Sequence, residues 1–365
     1  MPLIISKILI SHSDSLLSRE ESTAIKGLLI ILIVLGHNKF FTTLTEPIQA
    51  MGYLYNFHIQ SFFILPFLYG SKRLTWRRIG NSAIKLLWPY ILVTTLLYVG
   101  YYVYFSDHSL HLAELFRLWG FGNGPLLMKF CGIQILWFLP AMFSLIIIKD
   151  YYYQSGHTMR LIVLLLSCIA MIPELFGIVY NRHLPLVQSL FEWTQWIPFS
   201  MFRAMSYLLL GVLIRRSIVS LSPGSIPSSL LWTTWTLLSV IYFGNVVVYN
   251  NNLFVNMALR LAFPVLFFII INHYKAALGN LRILLRFGKN SYPIYLFHPF
   301  LGYILIVALE GFGDYVTWLQ WLIAAVSMVT IIWLSLIAAE FLGRYQRIHN
   351  FIFPTRLSDI YKYKR

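Results

Sequence analysis

Long, uninterrupted apolar runs dominate the chain and indicate its architecture. A helix needs about 20 residues to cross the hydrocarbon core of a bilayer, and ten runs reach or nearly reach that length. Their apolar residues are continuous and do not alternate with polar ones, which excludes the strands of an outer-membrane barrel. The predicted spans are 25–44, 51–70, 83–105, 134–149, 160–180, 198–214, 229–249, 256–273, 292–309 and 318–341.

Composition places these helices in a membrane. Of the 365 residues, 58% are apolar, 17% are aromatic and only 11% are charged, whereas soluble domains average about 25% charged residues. The mean hydropathy is +0.70. So little polar surface excludes a soluble enzyme, a secreted disulfide scaffold and a disordered chain. We predict an all-α, polytopic integral membrane protein with about ten transmembrane helices.

The net charge of +15 predicts topology and not nucleic-acid binding, because no soluble basic domain is present to carry it. If the N-terminus is cytoplasmic and the spans alternate, all but six of the 28 basic residues fall on the inner side, as the positive-inside rule requires. Both termini are then cytoplasmic. We predict a cytoplasmic N-terminal segment (1–24) without a cleavage site, a ten-helix membrane domain (25–341) and a basic cytoplasmic tail (342–365). The six exceptions are Lys39, Arg117, Lys129, Arg182, Arg203 and Arg260.

Two ionisable residues in the first span are candidates for function, because charge inside a membrane is costly. Lys26 and His37 are eleven positions apart, which puts them on one helix face with a rise of roughly 16 Å between them. Lys26 then lies at the cytoplasmic edge and His37 deeper in the bilayer. The alternatives are a snorkelling anchor for Lys26 and a buried structural histidine for His37.

The second span supplies His58 at about the same depth as His37. Two imidazoles on adjacent helices suit general-base catalysis or metal binding. Metal binding is the weaker alternative, because no carboxylate or cysteine has ligand spacing beside them. We therefore predict no metal site.

Five ordered segments resemble the membrane acyltransferase-3 superfamily, and in particular its sugar O-acetyltransferase branch, which includes the fucose O-acetylase-like proteins. The likeness covers about 25–310, and its first-span pattern of a basic residue, ten residues and a histidine falls on Lys26 and His37. A second pattern, Arg-x-x-Arg, falls on Ser82 and Lys85, so one arginine is missing and Arg77 and Arg78 are the nearest substitutes. The segments are IKGLLIILIVLGHN, FHIQSFFILPFLYG, LLWPYI, LWFLPAMF and FGKNSYPIYLFHPF.

The resemblance implies transfer of an acyl group, usually acetyl, from cytoplasmic acyl-CoA to a carbohydrate hydroxyl. We expect His37 and His58 to be catalytic, with His37 as the general base, and an acyl-histidine intermediate stays open. His298 either lines the acyl path or is structural. The expected donor-binding residues are Lys26, Arg77, Arg78, Lys85, Lys289 and Ser291. The positive-inside rule alone would also explain the charges of the basic residues among them. The expected acceptor-binding residues are Glu174, Glu192, Arg203, Arg260 and Trp137. The alternative for the aromatic residues in this region is a belt of interfacial Trp and Tyr.

The sequence thus predicts an acyl-CoA-dependent O-acyltransferase of the cell inner (cytoplasmic) membrane that modifies a cell-surface or exported glycan. Acetyl-CoA or another acyl-CoA is the expected co-substrate, and no resident cofactor is expected. The predicted partners are the acyl-CoA donor, a carbohydrate acceptor and the lipid bilayer. The alternatives are a transporter or flippase for a glycan or lipid-linked sugar, and a membrane sensor or scaffold without chemistry.

Overall fold

A computed structural model describes residues 15–105, 108–177, 196–248 and 252–356 of the protein. Within these ranges every regular element is helical. The α-helices are α1 (Arg19–His37), α2 (Lys39–Leu44), α3 (Ala50–Tyr55), α4 (His58–Ile64), α5 (Trp76–Leu97), α6 (Leu112–Phe121), α7 (Gly124–Cys131), α8 (Phe138–Gln154), α9 (His157–Gly177), α10 (Met201–Ser220), α11 (Ser228–Val247), α12 (Leu253–Gly279), α13 (Arg282–Lys289), α14 (Ser291–Ala308), α15 (Thr317–Arg344) and α16 (Gln346–Ile352).

Shorter turns of other helix types complete these elements. A π-helix, Tyr98–Phe105, continues α5. Single 3₁₀ turns occur at Glu46–Ile48, Leu65–Leu68, Ile135–Trp137, Pro198–Ser200 and Phe312–Asp314.

Six helical segments of the described residues are long and apolar enough to span a bilayer, which supports the predicted polytopic membrane protein. Each coincides with a predicted span. The total of ten spans, the cytoplasmic side of the termini and the domain boundaries stay predictions. The six segments are Trp76–Tyr104, Ile135–Gln154, Ser228–Val247, Leu253–Gly279, Ser291–Ala308 and Thr317–Arg344.

The predicted second span, 51–70, is not one continuous helix. The structure divides it into α3, α4 and the 3₁₀ turn Leu65–Leu68, with a turn at Asn56 and Phe57 between the first two. Both turn residues are buried. Irregular backbone at membrane depth is tolerated only where protein or a water-filled cavity surrounds it, so this segment belongs to the interior of the protein.

Contacts divide the chain into two compact units. The first contains Phe63–Leu213 and the terminal segments, and the second contains Leu17–Phe62 and Ile214–Tyr345. In the first unit, Phe63 stacks on Tyr207 with the ring centroids 4.4 Å apart and the rings nearly parallel. The ring of Phe67 lies where a side chain at Gly211 would otherwise be, so this position accepts only glycine without rearrangement.

The second unit holds α1 against α13 through two glycines. A Cβ atom at Gly27 would overlap the backbone carbonyl of Leu284, and one at Gly288 would overlap the carbonyl of Thr23. Small residues at a helix crossing allow the two backbones to touch, as is typical of membrane helices. This contact, which we call the glycine crossing, fixes α13 beside the cytoplasmic half of α1 that the sequence predicts.

Candidate active site

Capping groups define both ends of α1. Ser18 and Glu21 form a reciprocal capping box at the start of the helix, with hydrogen bonds of 3.1 and 2.7 Å. At the other end, the Asn38 side chain accepts a hydrogen bond from the backbone N–H of Phe41 and so begins α2. His37 is therefore the last residue of α1, at the junction of two helices.

Three histidines of the second unit share one hydrogen-bond pattern. In each, Nδ1 contacts the backbone carbonyl oxygen four residues earlier, namely Ile33 for His37, Leu54 for His58 and Ile294 for His298. A carbonyl oxygen only accepts, so Nδ1 carries the proton of the neutral ring and Nε2 keeps a free lone pair. All three imidazoles are thus held in the tautomer that can take up a proton at Nε2.

His298 and His58 both lie near the end of α1, one against His37 and the other against Gly36. The His37 and His298 ring centroids are 5.5 Å apart in an edge-to-face arrangement. A Cβ atom at Gly36, the residue before His37, would lie 3.5 Å from Nε2 of His58. His58 thus lies against the residue before His37, and His298 contacts the His37 ring itself; the catalytic roles predicted for His37 and His58 stay predictions.

Access to solvent separates His37 from the other two histidines. His37 is partly exposed, whereas the side chains of His58 and His298 are buried, with relative exposures of 0% and 2%. Nε2 of both buried rings has no hydrogen-bond partner among the described residues. Of the three residues, His37 is the one that keeps some accessible surface.

Tyr55 contacts both His37 and His58, and it is not among the site residues predicted from the sequence. Its hydroxyl oxygen lies 3.2 Å from Nε2 of His37, and its ring meets that of His58 edge-to-face with centroids 4.9 Å apart. Because Nε2 of the neutral His37 ring is an acceptor, the phenol donates this hydrogen bond. The sequence offered one signal for Tyr55, its position three residues before His58, which on the continuous helix predicted for 51–70 would put both on one face.

Lys26 and Lys289 flank the glycine crossing, each adjacent in sequence to one of its glycines. Lys26 is partly exposed and Lys289 is exposed. Arg286 on α13 instead forms two hydrogen bonds with the Glu340 carboxylate, at 2.6 and 2.7 Å, and this pairing raises the pKa of the guanidinium. Ser291 begins α14, and the Asn290 side chain before it does not cap that helix.

The other predicted donor residues lie in the first unit. Arg77, Arg78 and Lys85 belong to α5, and Arg77 and Lys85 are exposed. Arg78 donates from Nε to the fully buried carboxylate of Asp150 at 3.3 Å, and Nζ of Lys149 lies 3.3 Å from the other carboxylate oxygen. Asp150 thus fixes Arg78, a role that spacing along the chain does not reveal because the two residues are 72 positions apart.

The predicted acceptor residues are brought together only in part. The Arg203 guanidinium lies over the ring of Trp137, 3.5 Å from its centroid. Arg260 is a buried residue of α12 in the second unit. Glu192 lies outside the described residues, as does the side chain of Glu174. Within the described ranges, no group of three histidine, cysteine or acidic side chains could hold a metal ion.

Comparison with known proteins assigns the family. The family described as an acyltransferase domain, acyltransferase-3, matches residues 20–339. Searches of curated proteins and of solved structures found no significant match. The family match includes α1 through most of α15, and with them every histidine of the cluster. The chain therefore belongs to the acyltransferase-3 family and is a membrane acyltransferase.

Proposed function

We propose that the protein is an acyl-CoA-dependent O-acyltransferase that transfers an acyl group, most simply acetyl, to a hydroxyl of a cell-surface or exported glycan. One observation carries the proposal. His37 is a partly exposed imidazole whose Nδ1 is bound to the Ile33 carbonyl, so its Nε2 lone pair is oriented at the junction of α1 and α2. That is the geometry a general base needs in order to activate an alcohol.

In this proposal His37 removes the proton of the acceptor hydroxyl. The hydroxyl oxygen then attacks the thioester carbonyl carbon, the carbon–sulfur bond breaks, and the CoA thiolate leaves. The imidazolium returns its proton to the departing sulfur, so the products are an ester and CoA thiol. His298 packs edge-to-face against the reacting ring, His58 supports it through Gly36 and Tyr55, and burial keeps both from the substrates.

Lys26 is the proposed contact for the donor phosphates. It shares α1 with His37, and the rise along that helix, roughly 16 Å, suits a long donor that is anchored by charge at one end and reacts at the other. The glycine crossing supports this role because it keeps α13, with the exposed Lys289, against α1. Arg77, Arg78, Lys85 and Ser291 are the further donor contacts that we propose.

The acceptor is proposed to be a carbohydrate. Arg203 and Trp137 support this, since an aromatic ring and a guanidinium together offer the apolar face and the hydrogen-bond donors that sugars need. Arg260, Glu174 and Glu192 are proposed as further acceptor contacts. We place the protein in the cell inner membrane with acetyl-CoA as the simplest donor. No observation favours the transporter or flippase.

Mass spectrometry of the glycans from cells with and without the protein tests the proposal. We expect an added acyl mass on one glycan, which is lost in cells that produce His37→Ala at normal levels. A matched control is His157→Ala, because His157 is the exposed first residue of α9. Identical glycan masses in the presence and absence of the protein would refute the proposed reaction.

A further inference from the structure

The position of the Tyr55 hydroxyl carries a further inference. It occupies the Nε2 side of His37 at 3.2 Å, which is the place that the hydroxyl of an acceptor must take in order to lose its proton. The Tyr55 oxygen is part of the protein, so an ester formed on it would not be released as product. We infer that Tyr55 is a specificity-determining residue, whose hydroxyl covers the base until the acceptor displaces it.

The surroundings of Tyr55 allow such a displacement. Tyr55 is the last residue of α3, directly before the turn at Asn56 and Phe57. Its ring is partly exposed, and His58 meets that ring edge-to-face without a hydrogen bond between the two side chains. Displacement breaks the hydrogen bond from Tyr55 to His37, and the acceptor hydroxyl replaces that bond on Nε2.

The covering hydroxyl matters because water competes with the acceptor. If water reaches Nε2, it loses a proton to His37 and attacks the thioester carbon, and the products are a carboxylic acid and CoA thiol. An acyltransferase has to suppress this hydrolysis while it waits for its acceptor. The Tyr55 hydroxyl on Nε2 opposes this, because a water molecule only exchanges one hydrogen bond for another, whereas the acceptor is also held by its own binding contacts.

The inference rests on the proposed acyl transfer, and Tyr55→Phe tests it without knowledge of the acceptor. The full-length protein is purified in detergent, acetyl-CoA is added without acceptor, and release of CoA thiol is measured with a thiol reagent. Loss of one hydrogen bond that competes with water predicts an increase in hydrolysis of about two- to tenfold. In the presence of the native acceptor, its KM should fall by a similar factor while kcat changes little.

Tyr53→Phe is the matched control. Tyr53 lies on the same helix, two residues earlier, and its hydroxyl contacts Ser239 at 2.7 Å and not a histidine. We expect this variant to hydrolyse acetyl-CoA at the wild-type rate. His37→Ala combined with Tyr55→Phe should abolish the added hydrolysis, since the base is then absent.

The outcomes separate this inference from the proposed function. Equal hydrolysis by Tyr55→Phe and wild-type protein, in cells or preparations where glycan acylation proceeds, would overturn the inference alone. A loss of kcat in Tyr55→Phe without any gain in hydrolysis would also overturn it and make Tyr55 part of the chemical step. Absence of glycan acylation by the wild-type protein would instead contradict the proposed function.

Discussion

His37 accepts a hydrogen bond from Tyr55 on the one ring nitrogen that is free to take up a proton, while its other nitrogen is held by Ile33. The imidazole is therefore oriented by main chain on one side and covered by a side chain on the other.

Replacement of the three histidines should affect acyl transfer unequally. His37→Ala should lower the transfer rate by about 10²–10⁴-fold, the typical contribution of a general base, while the protein still folds. His58→Ala should cause a smaller loss, because His58 is fully buried and acts by packing against the residues beside His37. Rates are measured with acetyl-CoA and the native glycan. A larger loss in His58→Ala than in His37→Ala would assign the base to α4.

Reversal of the charge at Lys26 should weaken donor binding. Lys26→Glu is expected to raise the KM for acyl-CoA by at least about fivefold, because one attraction to a phosphate becomes a repulsion of about 1 kcal/mol or more. Lys26→Arg should keep the wild-type KM. The control is Lys39→Glu, an exposed lysine of α2 near the other end of α1. An unchanged KM in Lys26→Glu would make Lys26 an anchor only.

Two glycine-to-alanine changes should shift thermal stability in opposite directions. Gly27→Ala introduces a Cβ atom into the Leu284 carbonyl, so the helices must separate, at a cost of about 1–3 kcal/mol. Gly80→Ala in α5 meets nothing within 4 Å and should stabilise the helix by up to about 1 kcal/mol. Thermal unfolding in detergent measures both. Equal melting temperatures would mean that the glycine crossing is looser than the structure shows.

Removal of the buried carboxylate in the first unit should be far more damaging than removal of an exposed one. Asp150→Ala leaves Lys149 and Arg78 without their shared partner, and the loss of one member of a buried ion pair typically costs about 3–5 kcal/mol. Glu340→Ala breaks the exposed pair with Arg286 and should give a small, salt-sensitive change. Yield and melting temperature at low and high salt distinguish the two cases.

Cys131 should resist thiol reagents in the folded protein. Burial raises the pKa of its thiol to about 12, so the thiolate that reacts is scarce at pH 8. The same shift predicts that stability declines as the pH rises from about 9, where the unfolded thiol ionises, toward 12, because the folded state then holds more protons. Maleimide labelling before and after denaturation measures the reactivity. Rapid labelling of Cys131 in the folded protein would contradict its burial in α7.

The sequence allowed the strongly apolar helices to be predicted well, and the interior of the site less well. Leu253–Gly279 and Thr317–Arg344 are apolar runs of more than 20 residues, and that length and hydropathy indicate a membrane-spanning helix. The break at Asn56 and Phe57 was not predicted, because a hydropathy average over 51–70 does not detect a two-residue turn inside an apolar stretch.

Spacing along the chain relates candidate residues to one another only within one helix. Lys26 and His37 share α1, and helical spacing is enough to place them on one face. Tyr55 and His298 reach His37 through tertiary contacts, and spacing along the chain carries no information about such contacts. Asp150 was missed for the same reason, since its partner Arg78 is 72 residues away.

The glycine crossing has a mechanical consequence for the α1–α13 pair. Gly27 lies against the Leu284 carbonyl, and Gly288 lies against the Thr23 carbonyl. If α13 moved along α1 by one residue, a residue with a Cβ atom would replace a glycine at the contact and would overlap the main chain of the other helix. Two such contacts, four residues apart on each helix, therefore lock the register of α13 against α1.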